Sequence, residues 1–175
     1  MKHTSLRTRL IYPAVAGAAY AGLTMLLSPL SYGPLQFRVA ESLCVLPFFF
    51  PGTAVGLALG CALANTLSAA GILDVVFGAL ATLLGGACTA FWGRSWRKTG
   101  RLPGIRARIL ACLMPVLWNA VVVGGVLSLS FTPQAFWSGF LVNGGQVALG
   151  ELGVLFLLGL PLMKLVPRII SPVAS

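Results

Sequence analysis

Long apolar runs separated by short polar segments most constrain how this chain can fold. Of its 175 residues, 58% are hydrophobic and 9% are charged, whereas about 25% of the residues of a soluble domain are charged. So few charges cannot cover the surface of a water-soluble protein of this size. A run of about 20 apolar residues can cross a bilayer as a helix. The sequence therefore predicts an integral membrane protein with one transmembrane domain over residues 1–175.

Proline and glycine divide the apolar sequence into six segments. Pro29, Gly33 and Pro34 follow the first segment, Pro51 follows the second, and Gly71 separates the third from the fourth. The second segment is short for a transmembrane helix and contains Pro47, so we expect it to be kinked or tilted. The predicted helices cover residues 10–28, 38–50, 53–69, 72–92, 109–131 and 140–166. The expected fold class is therefore an all-α membrane protein, a bundle of six transmembrane helices.

The positions of the basic residues predict the orientation of the bundle. Eleven of the twelve lie in the N-terminal tail, in a segment at residues 94–108 or near the C-terminus. Cytoplasmic loops carry such an excess of lysine and arginine, so we expect both termini and a basic loop at 94–108 to be cytoplasmic. Arg38 alone falls on the outer side. The net charge of +9 then reflects orientation, and not nucleic-acid binding, which would need interleaved aromatic residues.

Motifs for metal binding, catalysis or nucleotide hydrolysis are absent from the sequence. The four cysteines lie inside apolar runs without a CxxC spacing, and the single histidine, His3, lies in the tail. The sequence contains no HExxH, no GxSxG and no phosphate-binding P-loop. We therefore expect no metal, no cofactor and no enzymatic activity.

Polar residues inside the apolar segments are the candidate functional residues. A charged group in hydrocarbon costs at least about 2.5 kcal/mol, so it persists where it is paired, lines a cavity or has a function. Three acids and four amides fall in or at the ends of the predicted helices, away from the expected cytoplasmic surface. They are Glu41, Asn65, Asp74, Asn119, Asn143, Gln146 and Glu151. This pattern predicts a pocket that opens to the outside, to which the first helix adds no polar group.

Each of these residues also has a purely structural interpretation. Asn65 and Asp74 could cap the third and fourth helices, and Asn119 could form a hydrogen bond between helices. Arg38 and Glu41, three residues apart, could form a local ion pair. Because the whole set lies at similar depths, we favour a ligand pocket. Arg38 is a further candidate ligand-binding residue, and we expect Glu41 to be a ligand contact that Arg38 holds in place.

Small residues recur at intervals of four in two of the predicted helices. Ala14 and Ala18 show this spacing in the first helix. In the third helix it is shown by Gly52, Gly56, Gly60 and Ala64. Small residues at this period let helix backbones approach closely. In the third helix we expect them to serve packing within the bundle. In the first helix, packing within the bundle and contact with a helix of a partner protein are equally open.

Four stretches of the chain resemble the QueT family. They are LQFRVAESLCVLPFFFPG, GCALANTLSAAGILDVVFGALATLLGG, PVLWNAVVVGGVL and VALGELGVLFLLGLPLMK. Together they run from about Leu35 to Lys164, which is most of the chain. Members of this family are substrate-binding S components of energy-coupling factor (ECF) transporters for queuosine precursors. The resemblance implies a six-helix bundle in the bacterial cell membrane that binds its ligand near the outer face.

The resemblance also implies partners and a ligand. S components work with a transmembrane coupling subunit and two cytoplasmic ATPases, so ATP hydrolysis is expected in the partners alone. In related S components an AxxxA motif on helix one contacts the coupling subunit, and Ala14 and Ala18 match it. The ligand would be a deazaguanine: the pre-queuosine base, queuine or queuosine. Carboxylates and amides would bind its polar edge, and Trp118 or Phe77 would stack on its ring.

Two other functions stay open. A proton-coupled secondary transporter for a small polar solute would use Glu41, Asp74 or Glu151 as a proton carrier. Such transporters commonly show inverted repeats, and the sequence shows no convincing internal repeat. A structural or assembly subunit would bind no ligand.

Overall fold

Helices make up most of the chain, in agreement with the predicted all-α class. The computed structural model describes residues 6–33, 36–99 and 103–170. Within these ranges the side chains of residues 6–9 and of residue 170 are not described. No strand occurs in the described ranges, so the prediction of an all-helical fold is confirmed.

The helices follow one another with short connections. In chain order they are α1 (Leu6–Leu26), α2 (Ser28–Ser31), a 3₁₀ helix (Val39–Phe48), α3 (Thr53–Asn65), α4 (Ala79–Trp92), α5 (Arg94–Thr99), α6 (Ile105–Phe131), α7 (Phe136–Val154) and α8 (Leu160–Ile170). A π-helical segment, Asp74–Gly78, leads into α4, and a second one, Leu155–Gly159, joins α7 to α8. A 3₁₀ turn, Pro133–Ala135, leads into α7.

Within the described residues, three helical stretches are long and apolar enough to cross a membrane. They are Asp74–Trp92, Ile105–Phe131 and Pro133–Ile169. Three shorter apolar helices accompany them: Leu10–Leu26, Val39–Phe48 and Thr53–Asn65. The chain is thus a multi-pass membrane protein, while the count of six crossings and the cytoplasmic position of the termini stay predictions. Lys2 and Arg101, which entered the orientation argument, and His3, which entered the argument about metal binding, lie outside the described residues.

The second predicted helix, at residues 38–50, is a 3₁₀ helix over Val39–Phe48. Pro47 lies within it and cannot donate a backbone hydrogen bond. A 3₁₀ helix rises about 2.0 Å per residue instead of about 1.5 Å, so ten residues reach about 20 Å. This short segment therefore spans more of the bundle than an α-helix of equal length. Its three-residue turn also places Glu41 and Cys44 on the same side.

In the basic segment predicted as a loop at 94–108, the residues that the structure describes are largely helical. It contains α5, and α6 begins at Ile105. Arg97 on α5 donates hydrogen bonds to the backbone oxygens of Phe48 at 2.5 Å and of Ala90 at 2.6 Å. These bonds hold α5 against the end of the bundle where the 3₁₀ helix finishes. We call this end, which also carries Arg108, Lys164 and Arg168, the basic end.

Glycines allow α1 and α3 to pack with their backbones in contact. A Cβ atom on Gly56 would collide with the carbonyl group of Pro13, and one on Gly60 would collide with the carbonyl group of Gly17. The same holds in reverse for Gly17, whose Cβ would meet the carbonyl of Gly56. This arrangement agrees with the packing role expected for the small residues of the third helix.

Candidate ligand-binding site

Eight of the buried polar side chains come from α1, α2, the 3₁₀ helix and the residue before it, α3, the π segment before α4, α6 and α7. Each of them is at most 4% exposed. They are Tyr20, Ser31, Arg38, Glu41, Asn65, Asp74, Asn119 and Glu151. We call them the polar cluster. It contains six of the nine predicted ligand-binding residues and adds Tyr20 and Ser31, which the sequence analysis did not include.

Arg38 precedes the 3₁₀ helix and lies at the centre of the polar cluster. Its Nη2 atom is 3.5 Å from Oδ2 of Asp74, and its Nε atom donates to the carbonyl oxygen of Ser31 at 3.4 Å. The guanidinium lies over the ring of Tyr32, 5.3 Å from its centroid, within the range of a cation–π contact. Arg38 therefore makes its ion pair with Asp74, not the local pair with Glu41 that the spacing suggested.

Glu41 is held by donors from two elements. The Tyr20 hydroxyl on α1 donates to its Oε1 atom, and the Cys44 thiol donates to its Oε2 atom at 3.1 Å. Cys44 is in reach because residues three apart eclipse each other in a 3₁₀ helix. Both carboxyl oxygens of Glu41 thus have a partner inside the protein. The first helix, expected to add no polar group, supplies the Tyr20 hydroxyl.

Only one of the two carboxyl oxygens of Glu151 has a hydrogen-bond partner among the described residues. The Asn119 amide on α6 donates to its Oε1 atom, which is the contact between helices that the structural interpretation of Asn119 predicted. Its Oε2 atom is buried and has no hydrogen-bond partner among the described residues. The carboxyl groups of Glu151 and Glu41 are close enough to interact electrostatically.

Asp74 and Asn65 connect the end of α3 to the start of the fourth predicted helix. The Asn65 amide donates to the backbone oxygen of Asp74 at 2.9 Å. Neither α3 nor the π segment Asp74–Gly78 has a side-chain hydrogen bond that caps its N-terminus. Asp74 therefore does not act as the helix cap considered for it. Both carboxyl oxygens of Asp74 and the amide oxygen of Asn65 are buried without a hydrogen-bond partner in the described chain.

The polar cluster carries more acidic than basic groups. Its three carboxyl groups, those of Glu41, Asp74 and Glu151, are all the side-chain acids of the chain. Arg38 is the only buried basic side chain among those described. If all groups are ionised, three negative charges and one positive charge leave a net charge of −2. Buried charge of this kind is costly unless a proton or a bound cation offsets it.

A polar cleft opens at the opposite end of the bundle from the basic end. It has a volume of about 300 Å³ and is lined in part by Tyr32, Gln36, Asn143 and Gln146. Burial raises the pKa of the Tyr32 phenol above its ordinary value, and its hydroxyl donates to the Ala64 carbonyl at 2.6 Å. Tyr32 separates the cleft from Arg38 and thus from the polar cluster.

Two amides that the sequence predicted for the site lie in this cleft, above the polar cluster. Asn143 donates to the hydroxyl of Ser128 at 3.1 Å, and Gln146 lies beside it on the wall of the cleft. Gln36 has a backbone φ of +43°, a left-handed conformation that is uncommon and costly for a residue other than glycine. Such strain tends to occur at functional sites.

The aromatic residues proposed to stack on a ligand lie elsewhere. Trp118 packs beside Ala81, Val123 and Val147, and its Nε1 atom donates to the Cys88 sulfur at 3.4 Å. Phe77 is 42% exposed on the outer face of its helix. Neither lines the cleft, so Tyr32 is the aromatic side chain that the structure brings between cleft and polar cluster.

The predicted partner-binding residues line a separate, apolar groove. It runs between α1 and α3 with a volume of about 440 Å³, and Ala14 and Ala18 form part of its wall. Val55, Leu59 and Leu63 of α3 line it as well, and each is more than half exposed. The small residues of α1 therefore face both α3, through Gly17, and the surface.

Membrane-spanning helices around a buried, charged interior define a multi-pass membrane protein of the kind that moves polar molecules across a bilayer. The model of the family described as QueT transporter matches residues 10–168 of the chain. The chain therefore belongs to the QueT transporter family, which confirms the resemblance seen in the sequence.

One curated relative supports this assignment over part of its length. It is described as "Queuosine precursor transporter QueT" of Lactococcus lactis subsp. cremoris (strain MG1363), and it is 42% identical to the chain over 73 residues. The match covers 41% of this chain and 43% of the relative, so the chain is aligned with less than half of that protein. No solved structure matches the chain.

Proposed function

We propose that the chain is the substrate-binding subunit, or S component, of an ECF-type ABC importer that takes up a queuosine precursor or related deazaguanine. Membership of the QueT transporter family supports transport, and the description of the Lactococcus lactis relative supports this class of substrate. The candidate ligands are the pre-queuosine base, queuine and queuosine. The protein would lie in the bacterial cell membrane and leave ATP hydrolysis to two cytoplasmic partner subunits.

The observation that carries the proposal is the set of unpartnered polar atoms in the polar cluster. Buried polar atoms nearly always have hydrogen-bond partners. Among the described residues, seven buried side-chain atoms have none, and five of these belong to Arg38, Asn65, Asp74 and Glu151. All four residues were predicted from the sequence to contact a ligand. A bound polar molecule would supply partners for them.

The chemistry of a deazaguanine matches these atoms. Its guanine edge offers adjacent N–H donors, which a carboxylate accepts in a charge-assisted pair. Its ring carbonyl is an acceptor for a guanidinium such as that of Arg38. The pre-queuosine base also carries a cationic amine, which would offset part of the net charge of −2 in the polar cluster.

The three carboxyl groups have different roles in this proposal. Asp74 has both oxygens free of hydrogen bonds, and Glu151 has one, so these two are the acceptors for the guanine edge and the amine. Glu41 already accepts from Tyr20 and Cys44. It therefore acts on the ligand mainly through its charge and by shaping the site.

The cleft is the entry route in this scheme. Asn143 and Gln146 line it and present amide groups that exchange hydrogen bonds with a heterocycle. Tyr32 lies between the cleft and Arg38. A ligand that passes from the cleft to the polar cluster must displace or stack on its ring.

The apolar groove between α1 and α3 is the proposed contact for the transmembrane coupling subunit. Ala14 and Ala18 leave room for an approaching helix, and Leu59 and Leu63 offer it apolar surface. Because the groove lies on the outside of the bundle, a partner could bind there without touching the polar cluster.

Calorimetry of the purified protein with a panel of deazaguanines and guanine tests the proposal. We expect saturable binding of at least one deazaguanine, and mass spectrometry should identify the same compound when it is retained on purification. Uptake by vesicles should require the coupling subunit and the ATPases. Absence of saturable binding across the panel would overturn the proposal.

A proton-coupled secondary transporter is the second candidate, because the unpartnered Oε2 atom of Glu151 is a place where a buried carboxyl group can hold a proton. The two functions differ in their energy source. Uptake of a deazaguanine by vesicles that contain this chain alone and a proton gradient would favour the second candidate. Uptake that depends on ATP and the partner subunits would exclude it.

A further inference from the structure

A second, strongly basic cavity lies at the basic end of the bundle. Arg108 near the start of α6 faces Lys164 and Arg168 of α8 across a space of about 310 Å³. Pro103 and the buried Met163 complete its lining. The cavity is separate from the polar cleft and from the apolar groove, and it has no part in the proposed transport cycle.

Nothing in the side chains of this protein neutralises these three cations. The chain contains three acidic residues, and all of them are buried in the polar cluster. Lys164 and Arg168 are four residues apart on α8, a spacing at which like charges repel each other. Arg108 approaches the same space from a different helix. An anion between them would relieve the repulsion.

The guanidinium of Arg108 is held in place for such an anion. Its Nε atom donates to the backbone oxygen of Pro103 at 2.9 Å. A guanidinium has five N–H donors, and its terminal nitrogens match the oxygens of a phosphate group. One fixed arginine with a lysine and a second arginine opposite is an arrangement suited to a phosphate monoanion or diester.

The surroundings of the cavity favour a phosphate that belongs to a lipid. Arg108 and Arg168 lie near the ends of the membrane-spanning stretches Ile105–Phe131 and Pro133–Ile169, the depth at which headgroups meet the protein. Ile105, Leu165 and Ile169 are each at least half exposed beside it, which gives acyl chains an apolar surface. Basic pockets between transmembrane helices are known to bind anionic headgroups.

We infer that Arg108, Lys164 and Arg168 form a binding site for the phosphate group of an anionic phospholipid. The lipid would bridge α6 and α8 and hold α8, which follows a π-helical segment, against the bundle. Arg108, Lys164 and Arg168 belong neither to the polar cluster nor to the cleft or the groove. The inference therefore does not depend on the identity of the proposed ligand.

The test compares two triple variants with equal loss of charge. The first changes Arg108, Lys164 and Arg168 to Gln. The matched control changes Arg94, Lys98 and Arg106 to Gln, which are exposed basic residues outside the cavity. Native mass spectrometry and thermal unfolding are measured in nanodiscs that contain either phosphatidylglycerol or phosphatidylcholine, and with inorganic phosphate added in place of the anionic lipid.

We expect the native chain to retain phosphatidylglycerol and to unfold at a higher temperature with it than with phosphatidylcholine. The cavity variant should lose lipid retention by at least about tenfold, while the control keeps it. The single variant Arg168→Gln, at an exposed position, should show part of the loss if the triple variant does not fold. Equal losses in both triple variants, full protection by inorganic phosphate, or intact lipid retention in the cavity variant would each overturn the inference.

Discussion

Arg38 and Asp74 form a buried ion pair, with Nη2 of Arg38 3.5 Å from Oδ2 of Asp74. At this distance the two charges attract each other, but neither atom has a hydrogen-bond partner among the described residues. The pair therefore keeps both its donor and its acceptor available. A ligand edge that carries a carbonyl oxygen next to an N–H group would give both Arg38 and Asp74 a hydrogen-bond partner at once.

Breaking this pair from one side should destabilise the protein. Asp74→Leu leaves the Arg38 charge buried without a counter-ion, and we expect a loss of about 3–5 kcal/mol in the free energy of unfolding. The double variant Arg38→Met with Asp74→Leu should recover most of that stability, since it removes both charges. Thermal unfolding measures this, and calorimetry should show that the stable double variant no longer binds a deazaguanine. Binding with native affinity would mean that the pair is purely structural.

One carboxyl oxygen of Glu151 accepts a hydrogen bond from Asn119, and the other has no hydrogen-bond partner among the described residues. Glu151→Ala should weaken binding of a deazaguanine at least about tenfold, which is about 1.4 kcal/mol, because it removes the acceptor that Asn119 positions. Gln134→Ala, in the exposed turn before α7, is the control and should bind as the native chain does. Unchanged affinity in a folded Glu151→Ala variant would remove this residue from the site.

Glu41 should respond differently because the protein already satisfies both of its oxygens. Glu41→Ala should weaken binding at least about tenfold and also leave the Tyr20 hydroxyl and the Cys44 thiol without their acceptor. Tyr20→Phe takes one donor away, and we expect a loss of stability of about 1–3 kcal/mol with a smaller effect on affinity. If Tyr20→Phe weakened binding more than Glu41→Ala, Tyr20 itself would contact the ligand.

Much of this site was predictable because buried polar residues are rare in an apolar chain. Glu41, Asn65, Asp74, Asn119 and Glu151 stood out in the sequence for that reason, and all five are buried in the polar cluster. Their pairing was less predictable. Spacing along the chain suggested that Arg38 would pair with Glu41, but Asp74 approaches it from another element, and sequence distance does not report such contacts.

Two features had weak or no signals in the sequence. Tyr20 lies in a run of alanine and glycine and looks like an apolar packing residue, because its hydroxyl becomes a site group only when α1 packs against the 3₁₀ helix. Pro47 and the short second segment indicated a distorted helix, but not a 3₁₀ helix of ten residues. That geometry brings Cys44 to Glu41. Both features depend on tertiary contacts that a linear pattern does not contain.

The close contact of α1 and α3 gives a prediction about stability. Gly56→Ala would place a methyl group against the backbone of Pro13, and such overpacking should cost about 1–3 kcal/mol. Gly22→Ala is the matched control, since a Cβ there meets nothing within 4 Å. It should leave stability unchanged or raise it by up to about 1 kcal/mol, because alanine favours helix. Equal unfolding temperatures for the two variants would show that α1 and α3 separate easily.

The apolar groove should serve assembly and not ligand binding. Ala14→Trp fills the groove beside Gly17 and Val55, so we expect the purified variant to bind a deazaguanine normally but to lose co-purification with the coupling subunit. Ala19→Trp adds the same bulk at an exposed position of α1 that does not line the groove, and it should assemble normally. Because the groove and the polar cluster share no residue, a loss of ligand binding in Ala14→Trp would contradict this division of roles. Normal assembly of both variants would place the coupling subunit on another face of the bundle.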